Sequence, residues 1–225
     1  MRNDPFFILI IIALGLSLLA QWKVHSAYNR FAKVAAARGL PAEEVARQIL
    51  SHYRVNIPIN PVAGKLTDHY DPRSKTLALS QGVYGSCSIA AYGIAAHEAG
   101  HAIQHAKAYS PLMFRNWFYP VSALGSNLGP WLFMAGIIFS FQQLIDLGII
   151  FFACAVLFSI VTLPVEFDAS RRAMAALRTN AYLSGQELKG AQSVLSAAAL
   201  TYVAATVMAV LQFLRLLAMR NARRR

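Results

Sequence analysis

The stretch Ala95-Ala96-His97-Glu98-Ala99-Gly100-His101-Ala102-Ile103-Gln104 carries the pattern H-E-x-x-H inside an apolar, alanine-rich run. From Ser88 to Lys107 the run has the length and apolar content of a mostly buried helix. On a helix, positions four apart share a face, so His97 and His101 can turn both imidazoles toward one metal ion. Neutral imidazole nitrogens suit zinc. A carboxylate in the adjacent position, Glu98, can take a proton from an attacking water and pass it to a leaving amine, which is the chemistry of peptide hydrolysis. Two histidines satisfied within a core would leave a buried Glu98 between them without a reason.

A catalytic zinc site needs a third protein ligand and an open position. His105 lies one turn beyond His101, but three ligands along one straight helix cannot converge on a tetrahedral ion. Lys107 stands where the metzincin pattern would have a third histidine. Glu166 fits best. It follows His101 by 65 residues, just past two apolar stretches that carry the chain away and return it to the same side. Asp168 is the alternative ligand on the same segment.

Outward from this motif the composition is that of a membrane protein. Of the 225 residues, 56% are hydrophobic and only 14% charged, a balance foreign to ordinary soluble domains. Residues 5–22 read as a first transmembrane helix, with Arg2 and Asp4 before the apolar run and Lys23 after it. A cleaved signal peptide is disfavoured, because the run is long for one and Leu18-Leu19-Ala20 lacks the small residue expected before a cleavage site. Residues 23–116 read as a water-facing catalytic domain, with amphipathic helices over Ala27–Arg38 and Pro41–Tyr53, a turn over Leu66–Pro72 and a strand over Lys75–Ser80. Residues 117–164 read as a transmembrane hairpin joined at Gln142-Gln143, its Gly125, Gly129, Pro130 and Gly136 permitting close packing or a kink. A helix over 165–190 carries the third ligand, 194–217 is a transmembrane or membrane-surface helix, and 218–225 is a basic tail. The expected fold is therefore mainly α and integral to the membrane: about four transmembrane helices and a zincin-like helical catalytic domain with a small strand element.

The net charge of +11 flanks apolar stretches, where lipid headgroups are the natural partners; no nucleic-acid-binding motif accompanies it. Cys87 and Cys154 form neither a disulfide framework nor a metal site. Secondary roles fall to several polar residues. Asp68, His69 and Asp71 suit a polar turn or the orientation of ligands and substrate, and Tyr84 and Arg172 are candidates for stabilising an oxyanion. The strand over Lys75–Ser80 is a candidate edge along which a peptide lies.

The motif segment Ala95–Gln104, the upstream Leu66-Thr67-Asp68-His69-Tyr70-Asp71-Pro72 and the segment Leu163-Pro164-Val165-Glu166-Phe167-Asp168-Ala169-Ser170-Arg171-Arg172-Ala173 together resemble the YugP-type family of bacterial membrane neutral zinc metallopeptidases. The resemblance covers nearly the whole chain. It implies a gluzincin arrangement with Zn2+ held by His97, His101 and Glu166 and with Glu98 as base. A more distant similarity is to HtpX-like membrane proteases, which often carry an aspartate four residues after the ligand glutamate. Here that position is Ser170, and Asp168 falls on a different helix face.

Lys23, Arg30, Lys33, Arg38, Lys107, Arg115, Arg171, Arg172, Arg178 and Lys189 lie near span ends on the active-site side, against Arg2 and five arginines from Arg215 onward on the other. The positive-inside rule then places the site in the cytoplasm of a multi-pass protein of the cell membrane. The expected function is a metalloendopeptidase acting on membrane or membrane-associated proteins. A non-catalytic metal-binding scaffold has no need of Glu98, and a transporter needs more charge within its spans.

Overall fold

The computed structural model describes residues 5–224, so Arg2, Asp4 and Arg225 lie outside the described residues. In chain order the elements are α1 (Pro5–Phe31), α2 (Ala42–His52), β1 (Ile59–Val62), β2 (His69–Asp71), β3 (Thr76–Ser80), α3 (Ile89–Ala106), α4 (Ser110–Ile138), α5 (Gln142–Thr179) and α6 (Gly185–Arg224). The fold is mainly helical with a small sheet, and α1, α4, α5 and α6 are long and apolar enough to cross a membrane. Two compact units emerge. Among the described residues, one gathers 5–20, 113–164 and 200–224; the other gathers Gln21–Leu112 and Val165–Ala199.

The first unit is built on a tight helical hairpin. α4 ends where Ser140 takes a left-handed φ of 52°, and Phe141 N–H donates back to the Gly136 carbonyl at 2.9 Å. The turn therefore precedes Gln142 and Gln143, which open α5 instead of joining the arms as expected; Gln142 Nε2 donates along the helix to Asp146 Oδ1 at 3.1 Å. The hairpin glycines serve close packing. A Cβ on Gly125 would stand 2.2 Å from the Phe151 carbonyl oxygen, one on Gly136 2.6 Å from Ile145 N, and one on Gly148 2.6 Å from Phe133 N. The far part of α6 joins this hairpin through Arg220 Nε, 2.5 Å from Asp146 Oδ1, and through Arg223, which donates to the Ile137 carbonyl and to Ser140 Oγ, each at 3.0 Å. Gln212 and Arg215 do not interrupt α6, and the basic tail expected from residue 218 continues the helix as far as Arg224.

In the second unit α2 is the expected amphipathic helix, burying Val45, Ala46, Ile49 and Leu50 and carrying Glu43 and Glu44 in its first turn. The helix expected over Ala27–Arg38 is absent as such. α1 runs on to Phe31, and the following residues leave the helix to pair with the approach to α3: Ala36 N–H donates to the Cys87 carbonyl at 2.8 Å, Ala42 N–H to Ser86 at 2.9 Å and Ile89 N–H to Val34 at 2.9 Å. Alanine's helix propensity is weak beside three tertiary backbone bonds. The helix expected over 165–190 is likewise two elements, the end of α5 and the start of α6, parted by residues 180–184.

The sheet has the order β1-β3-β2, with β3 parallel to β1 and antiparallel to β2. Tyr70 pairs with Leu77, and Ile59 also stands opposite Leu77 on the other side. β3 is thus central and buried from Leu77 to Ser80, which corrects its reading as an edge strand. The segment expected as a turn over Leu66–Pro72 holds strand β2, and the turn proper follows it: Arg73 N–H and Ser74 Oγ both donate to the Asp71 carboxylate, holding it below the usual aspartate range. β1 went unread because Pro58 and Pro61 flank and interrupt it; Pro is tolerated there because β1 is an edge strand. Leu77 and Leu79 of β3 pack in one core with Ile49 and Leu50 of α2, Tyr92 and Ile103 of α3, Leu177 of α5 and Leu195 of α6.

Gly125→Ala is expected to lower hairpin stability by about 1–3 kcal/mol, because its methyl group must displace the backbone of α5. Gly15→Ala, on a helix position with nothing within 4 Å, is expected to leave stability unchanged or to raise it by up to about 1 kcal/mol. Thermal unfolding of the two variants in detergent micelles checks the contrast.

Candidate metal centre

α3 begins with Ser88 as N-cap, its hydroxyl accepting from Ala91 N–H at 3.2 Å, and is buried along most of its length. One face presents His97 and His101, whose rings meet edge to face with centroids 4.8 Å apart. α5 crosses that face at very short range. A Cβ on Gly100 would stand 2.8 Å from the Ala169 carbonyl oxygen, so only glycine admits this approach. It brings Glu166 Oε2 to 3.3 Å from His97 Nε2 and 3.6 Å from His101 Nε2.

The ligand atoms of His97, His101 and Glu166 all lie within 4.8 Å of one another, the arrangement of a metal site. Zinc bonded at about 2.0–2.2 Å in a tetrahedron sets its ligand atoms roughly 3.3–3.6 Å apart, and both carboxylate–imidazole distances match that spacing. Two nitrogens and one carboxylate oxygen are also the donors zinc accepts when one position stays open. The alternatives for the third ligand are engaged elsewhere. His105 Nδ1 bonds to the Tyr70 hydroxyl at 2.8 Å, and Asp168 accepts from Gln104, Arg171 and Arg172.

The outer nitrogens of the two histidines also have partners: His97 Nδ1 lies 3.1 Å from Ser170 Oγ and His101 Nδ1 lies 3.0 Å from Gln104 Oε1. Ser170, expected as a mere departure from an acidic pattern, touches a histidine directly, whereas Asp168 reaches His101 only through Gln104. Glu98 is buried beside the histidines, and burial pushes its carboxyl up to about 7; His97 opposes this, while Glu166 and Asp68 add to it.

The remaining sequence candidates are placed as follows. Asp68 clamps the end of β3, accepting from Ser80 N–H at 2.7 Å and from Ser80 Oγ at 2.9 Å. His69 is exposed on β2, with Nδ1 2.8 Å from the Thr67 carbonyl, and acts on the Glu98 charge from there. Arg172 has its Nε 2.5 Å from Asp168 Oδ2 and its guanidinium over the Tyr109 ring, and Tyr84 is exposed on the turn after β3. Gln104 and Gly100 were missed. A lone amide three residues past His101 on an apolar helix was the available signal for the first; a glycine's close approach leaves none.

Residues 6–221 match the family described as "Putative neutral zinc metallopeptidase". The chain belongs to the neutral zinc metallopeptidase family. It is also 44% identical over 211 residues to a Bacillus subtilis (strain 168) protein called "Putative membrane protease YugP", covering 93% of this chain and 94% of that one. No solved structure matches it. With four apolar helices, this metallopeptidase-family chain is a multi-pass membrane protein, and zinc is the ion its donor set fits.

Glu98 has a consequence for stability. With a carboxyl pKa raised in the folded state, the native protein binds a proton that the unfolded chain has lost, so ionisation costs stability as pH rises from about 4.5 and the full cost is present above about 7. In chelator-treated protein, Glu98→Gln is therefore expected to unfold at the wild-type temperature near pH 4 and to gain on the order of 1–3 kcal/mol at pH 8. Thermal unfolding across that pH range reads the difference.

Proposed function

We propose that the protein is a membrane-bound zinc metalloendopeptidase that cleaves membrane or membrane-associated proteins. The observation that carries this reading is the convergence of His97, His101 and Glu166 on one point with the buried carboxylate of Glu98 beside them. Zinc, when bound there, supplies a Lewis acid that polarises water and the scissile carbonyl. His97, His101 and Glu166 hold the ion, and Glu98 acts as general base, accepting a proton from the attacking water and delivering it to the leaving amine. Burial raises the proton affinity of the Glu98 carboxylate, which suits a group that must take a proton from water. Exclusion of bulk water around Glu98 strengthens each of these interactions.

Metal content and hydrolysis of detergent-solubilised membrane proteins test the assignment in one series. Glu98→Gln is expected to keep zinc and lose about 10²–10⁴ in kcat; Glu166→Gln is expected to lose the zinc itself. Wild-type protein that binds zinc without cleaving any membrane substrate favours a metal-binding scaffold, and an active Glu98→Gln removes Glu98 from its role.

The basic residues near span ends support a cytoplasmic site, ten against six. In intact cells a membrane-impermeant maleimide is expected to label Ser140→Cys in the hairpin turn and to spare Gln81→Cys after β3, each in a background without Cys87 and Cys154. The reverse pattern places the site outside.

A further inference from the structure

Gln104 is fully buried, yet its amide uses both ends. Nε2 donates to the Val165 carbonyl at 2.8 Å and to Asp168 Oδ2 at 2.9 Å. Asp168, paired with two guanidinium groups, can only accept, which settles which end of the amide faces it. Oε1 is then left facing His101, 3.0 Å from Nδ1. An amide oxygen cannot donate, so Nδ1 must carry the hydrogen. A neutral imidazole has one N–H, and Nε2, the nitrogen nearest Glu166, therefore keeps its lone pair. Ser170 imposes no such choice on His97, because a hydroxyl both donates and accepts. Val165 immediately precedes Glu166, so the same amide ties the helix of His101 to the backbone beside the third ligand.

Resting on the zinc reading above, we propose that Gln104 is a positioning residue of the metal centre: it fixes His101 as the Nδ1–H tautomer and in register with Glu166, while Asp168, braced by Arg172, fixes the Gln104 amide. Outer partners of this kind preset a ligand before the metal arrives, and their loss typically weakens metal affinity about 10–100-fold.

The test uses full-length protein in detergent with two readouts: zinc affinity by chelator competition, and ¹⁵N NMR of the imidazoles in metal-free protein. Gln104→Met removes the acceptor at nearly constant volume and is expected to weaken zinc binding about 10–100-fold and to mix the His101 tautomers. Gln104→Glu keeps an acceptor oxygen and is expected to retain the Nδ1–H tautomer and to lose less affinity than Gln104→Met. A residue that merely filled space would tolerate methionine better than a buried charge and leave the tautomer unchanged; that ranking overturns the proposal. Should Gln104→Met fail to fold, the metal-free wild-type spectrum decides alone: a neutral His101 carrying its hydrogen on Nε2 overturns the proposal. Wild-type protein that binds no zinc removes the metallopeptidase reading, and the tautomer in metal-free protein still decides the role of Gln104.

Discussion

Everything at the metal centre depends on how closely α5 crosses α3. At Gly100 the two helices approach until a single methyl group would meet the Ala169 carbonyl. Ridges of ordinary side chains hold helix axes about 8–10 Å apart, a spacing that would draw a short carboxylate back from the imidazoles opposite. With glycine at the crossing, Glu166 reaches both histidines from within α5. The cost is a polar cluster carried into an apolar interior, which is tolerable only when each group has a partner. The histidines meet that condition: His97 has Glu166 and Ser170 as partners, and His101 has Gln104, itself bonded to Asp168.

The sheet packs against the helix that carries the two histidines. Its middle strand is pinned at Ser80 by Asp68, and its edge strand β2 is joined to α3 by the Tyr70–His105 bond. His105 thus ties strand to helix one turn past His101. Asp68 and His69, adjacent in sequence, divide their work: the first is spent on backbone and hydroxyl, the second stays exposed and reaches Glu98 only through its field.

The membrane-type unit rests on different physics. Lipid chains are as apolar as leucine, so its helices gain little from hiding apolar surface and hold together by close contact and polar ties. Gly125, Gly136 and Gly148 supply the contact, and Asp146 with Arg220 supplies a tie where the hairpin turns.

The sequence by itself determined the features with a short period or a bulk signature. Four apolar runs specify helices long enough for a bilayer, and residues four apart on one helix bring His97 and His101 to one face whatever packs against it. The strand over Lys75–Ser80 was legible from alternation, but its place in the sheet was not, because pairing partners are chosen by tertiary contact. The same holds for Ala32–Gly39, where backbone bonds to the distant Cys87 and Ile89 outweighed alanine's helix preference. Only the tertiary structure decided which acid among Glu166 and Asp168 meets the histidines. Two residues apart on a helix, they point about 200° away from each other, and the crossing at Gly100 selects one of them. It likewise made Gln104 a partner of His101, since an amide's role depends on what stands at both of its ends, and Val165 and Asp168 come from a helix more than sixty residues away.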